Sequence, residues 1–302
     1  MPSDYIILDK RFSTTRRLFT APPLKNPKYV DLSYNHHRNK GGLRTKGYFK
    51  RTTKSTPLVS IITVVFNGEQ YLSSTILSII NQDYDNIEYI IIDGGSTDKT
   101  LKIIQEYEEQ IDFWISETDN GISDAFNKGI RLASGDLLMF LNADDFLLST
   151  NSIQTAMLQI DHRYLLHWFR TGFITENGNK LYSFNYHFNK NSLYLRRTYP
   201  QPSMLYHSTV FDKIGLFDIK LKNTMDTELL IRAAVANVMI KSYEQIISVM
   251  RLGGISDKAI HQTILEGFII RRKHIGLFYA LIFTSFRWFK QKVKWILKSL
   301  LK

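Results

Sequence analysis

The sequence predicts an α/β protein built on a mostly parallel, doubly wound sheet. Three observations lead there. Between residues 58 and 141, β-branched and aliphatic runs of strand length alternate with segments of helical period. The runs are apolar at nearly every position, the pattern of strands covered by helices on both faces. The breaks between them carry Asn, Gly, Asp and Ser, which favour tight turns. The order β-α-β-α-β-α-β then implies parallel strands joined by right-handed crossovers.

Each element has a local reason. Residues 58–66, LVSIITVVF, form the first buried strand, and Asn67-Gly68-Glu69 a turn. Residues 71–81 carry Leu72, Ile76, Leu77 and Ile80 at helical spacing. A second strand, 87–92, ends in DGGSTD at 93–98, and a helix is expected over about 98–110 with Ser96 or Thr97 as cap. A short strand at 113–116 leads through ETDNG to a helix at 122–133. The run 137–141 is the pivotal strand, bounded by Gly-Asp before it and Asn-Ala-Asp-Asp after. Beyond it the signals mix: a helix at 152–160, strands near 164–169 and 181–186, polar clusters at 201–203 and 206–209, and a helix at 229–236 opened by Met225-Asp226-Thr227-Glu228. A last strand at 246–252 ends in GGIS, and a helix follows to about residue 274.

Composition bounds the chemistry. The 302 residues are 44% hydrophobic and 22% charged and contain no cysteine, which removes disulfides, thiolate metal sites and cysteine nucleophiles. No signal-peptide core opens the chain, and no apolar run reaches the roughly 18 to 20 residues that span a bilayer. The net charge of +11 is unevenly placed: residues 1–56 carry +10 and 271–302 carry +9, leaving 57–270 at −8. An acidic body with basic ends does not suit a nucleic-acid groove but suits a domain that meets an anionic surface. Three segments follow: a basic, irregular N-terminal extension at 1–56, a central domain at 57–256 with halves 57–150 and 151–256, and C-terminal helices at 257–302. In the tail, Phe289, Val293, Ile296, Leu297 and Leu300 fall on one side of a helix and Arg287, Lys294, Lys298 and Lys302 opposite, as for a helix lying in a membrane interface.

In an open α/β sheet, ligands bind beyond the carboxyl ends of the strands. That principle puts Asn142, Asp144 and Asp145 at a binding edge, with Asp93 and Asp119 near it. Adjacent carboxylates repel unless a cation or proton joins them, and Mg²⁺ or Mn²⁺ bridging to phosphate oxygens would do so. A plain helix cap accounts equally well for any one of these acids, and for Asp226 at its helix start.

Taken together, the motifs resemble the family 2 glycosyltransferases of the A-type nucleotide-sugar fold. The likeness runs from residue 58 to about 256 and rests on LVSIITVVFNG, IDGGSTDKT, DNGISDAFNKGI, ASGD followed by FLNADD, HST and MDTELL. GGIS is similar to the transferases that build bacterial exopolysaccharide, colanic-acid-like and lipopolysaccharide chains. The resemblance implies transfer of one sugar, with inversion, from a nucleoside diphosphate sugar to the hydroxyl of a saccharide or lipid-linked saccharide. It implies Phe66, Asn67, Glu69, Asp93, Gly94, Asp119, Asn127, Lys128, Asn142 and His207 as substrate contacts. Asp144 and Asp145 would hold the divalent cation, Mn²⁺ or Mg²⁺, and Asp226 would be the base. Gly94 stands where the family often has a second acid, and Asn142 where the acidic motif often begins with Asp. The QxxRW-type motif of processive synthases is absent. The expected location is cytoplasmic, peripheral on the inner face of the cell membrane. The alternatives are a catalytically degenerate assembly subunit and, less favoured by the Phe66-Asn67-Gly68-Glu69 turn, a sugar-nucleotide pyrophosphorylase.

Overall fold

The computed structural model describes residues 5–7, 17–20, 39–175, 181–183, 187–195, 199–253 and 259–300. Parts of the expected 181–186 strand and GGIS turn, and the tail side chains from 294 onward, lie outside the described residues. Twelve strands and nine α-helices follow in order among them. β1 (Tyr5–Ile7) and β2 (Arg17–Phe19) form a separate antiparallel pair. The others build one sheet in the order β3-β6-β5-β4-β7-β11-β9-β12-β8, with β10 pairing on β9.

The expected nucleus is present. β4 (Val59–Val65) lies between β5 (Ile87–Asp93) and β7 (Leu137–Phe140), parallel to both, and β5 is parallel to β6 (Phe113–Ser116). Every residue of β4, β5 and β7 is buried, because helices cover both faces. Alternate side chains serve the two layers. Ile62, Val64, Ile90 and Ile92 enter one core beneath α3 (Ile122–Leu132) and α7 (Met225–Val235). Ile61, Val65, Ile91 and Met139 enter the other, beneath α1 (Leu72–Ile80) and α4 (Ser152–Gln159). α2 (Thr100–Glu106) is shorter than the expected 98–110, which ends in a separate 3₁₀ turn at Glu108–Gln110.

The second half is mixed in direction. β11 (Met204–His207) runs antiparallel to β7 and to β9 (Leu166–Ile174), while β12 (Ile240–Arg251) runs parallel to β9 and antiparallel to β8 (Phe146–Leu147). β9 extends past the expected 164–169, and β12 starts six residues before the expected 246. The early part of β12 alternates exposed and half-buried residues, so hydrophobicity alone does not mark it. β10 (Leu181–Ser183), α5 (Lys190–Leu195) and α6 (Val210–Ile214) complete this half.

The N-terminal segment is more integral than an irregular arm. β3 (Asn39–Gly41) adds to the sheet beside β6, and Phe19 exchanges backbone hydrogen bonds of 2.7 and 2.8 Å with Phe49. Arg44 and Lys50 are buried at the amino edge of the sheet, against Glu88 and Asp112 respectively, the second pair at 2.8 Å. At the other terminus α8 (Ile260–Ile275) and α9 (Leu277–Leu300) fold back on each other around Gly276, with φ 98°. Among the described residues, no helix is long and apolar enough to cross a membrane.

Candidate active site

The loops after β4, β5, β6 and β7 all leave the sheet at its carboxyl edge, because the four strands are parallel. Two of them are stitched together. Asn67, in the left-handed region at φ 51°, donates its N–H to Ser96 Oγ (2.7 Å) and accepts from Thr97 N at Oδ1 (2.9 Å). Gly68 N donates to Thr100 Oγ1 (2.8 Å), Glu69 N to Asp98 (3.2 Å), and Glu69 Oε2 accepts from Lys99 N (3.0 Å). Ser96 and Thr97 are thereby drawn into the junction and do not cap α2.

Asp93 is wholly buried and pins its own loop, accepting from Ser96 N (3.1 Å), Ser96 Oγ (2.5 Å) and Ser116 Oγ (2.6 Å). Beside it Phe66 is 65% exposed, an aromatic face at the ligand edge. Gly94 has a steric reason: a Cβ there would lie 2.6 Å from Asp119 Oδ2. The half-buried Asp119, whose Oδ1 accepts from Gly121 N (2.7 Å), thus fills the place of a side chain at 94. An acid reaches that spot from the β6–α3 loop.

The acidic loop follows β7 and is held from below, Thr75 Oγ1 donating to Ala143 O (2.8 Å) and Asp145 O (2.6 Å). Asp145 is buried, and each of its oxygens has a protein donor at 3.2 Å, Arg251 N and Asn142 Nδ2. Burial and then the neighbouring Asp144 push its carboxyl well above the usual range. Asp144 is half-buried, and burial raises it too, against the partial pull of Arg251. Asn142 Oδ1 is buried with no hydrogen-bond partner.

Asp226 stands in the first turn of α7, half-buried, and burial pushes it up to about 6. Thr227 N donates to its Oδ1 (2.6 Å). It lies close enough to Tyr206 for its charge to raise that phenol further, burial being the larger cause. The Tyr206 ring in turn packs edge-on against Phe140, 5.3 Å away, at the end of β7. Thr224 precedes the helix but does not cap it; its hydroxyl donates to Glu266 (3.0 Å).

Two of the other expected contacts, His207 and Asn127, stand apart from this edge, while Lys128 closes on the β6–α3 loop beside Asp119. His207 pairs in register with Leu137, the first residue of β7, because β11 runs antiparallel; it sits at the amino edge and bonds Thr209 (2.8 Å). Asn127 is buried and bridges Phe217, donating to its carbonyl and accepting from its N–H, both at 2.9 Å. Lys128 pairs with Glu117 at 2.9 Å and Asp124 at 3.7 Å.

A glycosyl transferase family 2 profile matches residues 60–215, just over half of the chain. The chain belongs to glycosyl transferase family 2. Relatives include an uncharacterized glycosyltransferase of Rickettsia typhi, 33% identical over 192 residues, covering 60% of this chain and 59% of that protein. An uncharacterized glycosyltransferase of Haemophilus influenzae is 45% identical over 94 residues, 30% of this chain and 38% of the other. The chain thus spans less than two thirds of the length of either relative. Among solved structures, residues 1–349 of S. aureus TarS in complex with UDP-GlcNAc superpose with a TM-score of 0.57 at 19% identity, covering 70% of this chain and 65% of that fragment. A mannosyltransferase of Pyrobaculum calidifontis, solved with GDP-Man and Mn²⁺, gives 0.54 at 16% identity over 73% of this chain and 62% of its own. At those identities the likeness is one of fold.

Two residues that the sequence did not single out hold the loops of this site. Glu266, on α8, accepts from the N–H groups of Lys222 (3.2 Å), Asn223 (3.0 Å) and Thr224 (3.1 Å), and so clamps the turn that starts the Asp226 helix. Arg251 ends β12 beside Asp145. Neither carries a local signal, since their partners lie 42 to 44 and 106 residues away.

Proposed function

We propose that the protein transfers a single sugar, with inversion, from a nucleoside diphosphate sugar to an acceptor hydroxyl. The observation that carries this is the acidic loop: two adjacent carboxylates with raised proton affinity, at the carboxyl edge of a family 2 sheet. The donor sites fit a hard cation. Asp144 and the orphaned Asn142 Oδ1 offer oxygen, and Asp145 backs them. Among the described residues no three His, Cys, Asp or Glu side chains cluster to hold a metal unaided. That suits Mg²⁺ or Mn²⁺, which take one or two carboxylates and complete their shell with phosphate oxygens and water. When bound, the cation offsets the charge of the departing diphosphate.

The chain's own groups do the rest. Phe66 offers a stacking face for the base and Asp119 an acceptor at its edge. Asp226 takes the acceptor's proton as its oxygen bonds to the anomeric carbon. The bond from that carbon to the diphosphate breaks, and the electron pair leaves with the nucleoside diphosphate. One displacement inverts the centre and needs no protein nucleophile.

The acceptor reading, a lipid-linked saccharide in bacterial surface polysaccharide synthesis at the inner face of the membrane, is supported by the C-terminal hairpin. Ala280 and Phe283 of α9 face inward and are buried. Half a turn around, Phe278 and Phe289 are 69% and 67% exposed, with Ile282 and Val293 exposed between and beyond them. Exposed Arg272, Lys273, Lys290 and Lys292 accompany this apolar stripe, and no acidic residue follows Glu266. Apolar burial plus about 1 kcal/mol per basic residue near an anionic surface suits interfacial docking. Co-sedimentation should show binding to phosphatidylglycerol vesicles, lost in Phe278→Ser/Phe289→Ser; indifference to both changes would remove the membrane reading.

The reaction is tested by thermal shift with UDP, GDP, CDP and dTDP, each with and without Mg²⁺ or Mn²⁺. A bound nucleotide at a hundred times its dissociation constant adds about 2.7 kcal/mol. A cation-dependent shift with one nucleotide, plus slow donor hydrolysis, is expected. No shift and no hydrolysis would leave a degenerate assembly subunit.

A further inference from the structure

We propose that Arg251 is an anion-binding residue of the donor site, gripping the diphosphate against the acidic loop. The inference rests on the transferase reading and adds to it a residue from the far end of the domain. β12 pairs with β8 through Ser248 with Leu147 and Val249 with Phe146, and so delivers Arg251 beside the loop after β7. Its N–H donates to Asp145 Oδ1 at 3.2 Å. Its guanidinium carbon lies 4.4 Å from the centre of the Tyr71 ring and 5.3 Å from that of Phe146.

The two rings hold the guanidinium, and among the described residues its N–H donors meet no acceptor. Nε is buried with no hydrogen-bond partner, and no carboxylate of the described residues lies within ion-pair distance. Simple packing of an arginine stem would leave these donors in water. A buried, unpaired donor on a cation instead costs free energy until an acceptor arrives. A guanidinium fork matches two phosphate oxygens in one plane. Asp144 and Asp145 repel a lone anion, so the site favours an anion that arrives with a divalent cation. Tyr71 follows the Phe66–Glu69 turn, and Phe146 follows the acidic loop, so Arg251 stands between the nucleoside loop and the acidic loop, where a diphosphate passes.

The test uses the full chain, Arg251→Met, which keeps the stem on the rings, and Arg251→Lys, which keeps the charge without the fork. Affinities for the nucleoside diphosphate and monophosphate of the preferred base are measured by calorimetry in Mg²⁺. The native protein should prefer the diphosphate. Arg251→Met should weaken diphosphate binding about tenfold or more and leave the monophosphate within about twofold, with Arg251→Lys between. An undiminished preference for diphosphate in Arg251→Met would make Arg251 a packing group. Equal loss of both nucleotides with a lower Tm would make it a brace for the loop; either result overturns the proposal. A native protein that binds neither nucleotide defeats the transferase reading itself, before any variant is compared.

Discussion

At the amino edge of the sheet, Glu88 and Asp112 are buried beside Arg44 and Lys50. Glu88 also accepts from Ser60 Oγ (2.5 Å) and Ser134 N (2.8 Å), and although burial pushes its carboxyl up, Arg44 and these donors hold it below the usual range. At the carboxyl edge Asp144 and Asp145 are withdrawn from water with no cation paired to them among the described residues, and both are raised. Where the chain supplies both signs, buried charge ties segments together. Where no side-chain cation of the described residues closes on the acids and Arg251 offsets them only in part, the balance is the ligand's to bring.

The largest expected effect tests the chemistry of the carboxyl edge. Asp226→Asn should cut kcat by about 10²–10⁴, the usual contribution of a general base, with nucleotide binding unchanged. In the native protein kcat should rise as pH climbs through about 6 and level above it, because Asp226 accepts a proton only when ionised. A flat profile from pH 5 to 8 would assign the base elsewhere.

The next tests the amino edge. Removing one partner of a buried pair strands the other, so Arg44→Met should cost about 3–5 kcal/mol in urea unfolding. A cost below about 1 kcal/mol would put this pair in the class of exposed salt bridges and erase the contrast.

Glu266→Ala should cost about 1–3 kcal/mol, since its carboxylate collects three backbone donors and a hydroxyl. It should also lower kcat more than it raises KM, because it loosens the turn before Asp226. Glu266→Gln should recover part of both, as measured by urea melts and steady-state kinetics.

The smallest effect is one of linkage. A carboxyl whose folded proton affinity is raised favours the folded state at low pH, and that contribution is lost as pH rises through its folded value. The acidic loop should therefore weaken the ligand-free protein toward neutrality. Mg²⁺ with nucleoside diphosphate should raise Tm more at pH 7 than at pH 5. Equal shifts would show that the pair does not take part.

What the sequence disclosed follows the same division. β4, β5 and β7 are continuous apolar runs covered on both faces, so composition marks them directly. The carboxyl-edge acids follow from strand direction once those runs are taken as parallel. His207, a substrate contact by resemblance, sits at the other edge because β11 runs antiparallel to β7, and nothing in MLYH tells that direction. Arg44 and Lys50 look like part of a solvated basic arm, because their partners lie 44 and 62 residues on and pairing is a tertiary event. Asn127 and Lys128 sit in a family motif, and the fold pairs Asn127 with Phe217 and Lys128 with Glu117 of the β6–α3 loop, partners that the motif does not name.

The boundary of the family match at residue 60 falls after both buried cations. A catalytic unit transplanted on that boundary would carry Glu88 and Asp112 into the interior and leave their counter-ions behind. A piece that keeps both buried pairs therefore begins upstream of Arg44, at least with β3. The basic segment from residue 39 belongs to the folded unit, and chimeras joined at residue 60 should misfold where those joined before residue 39 do not.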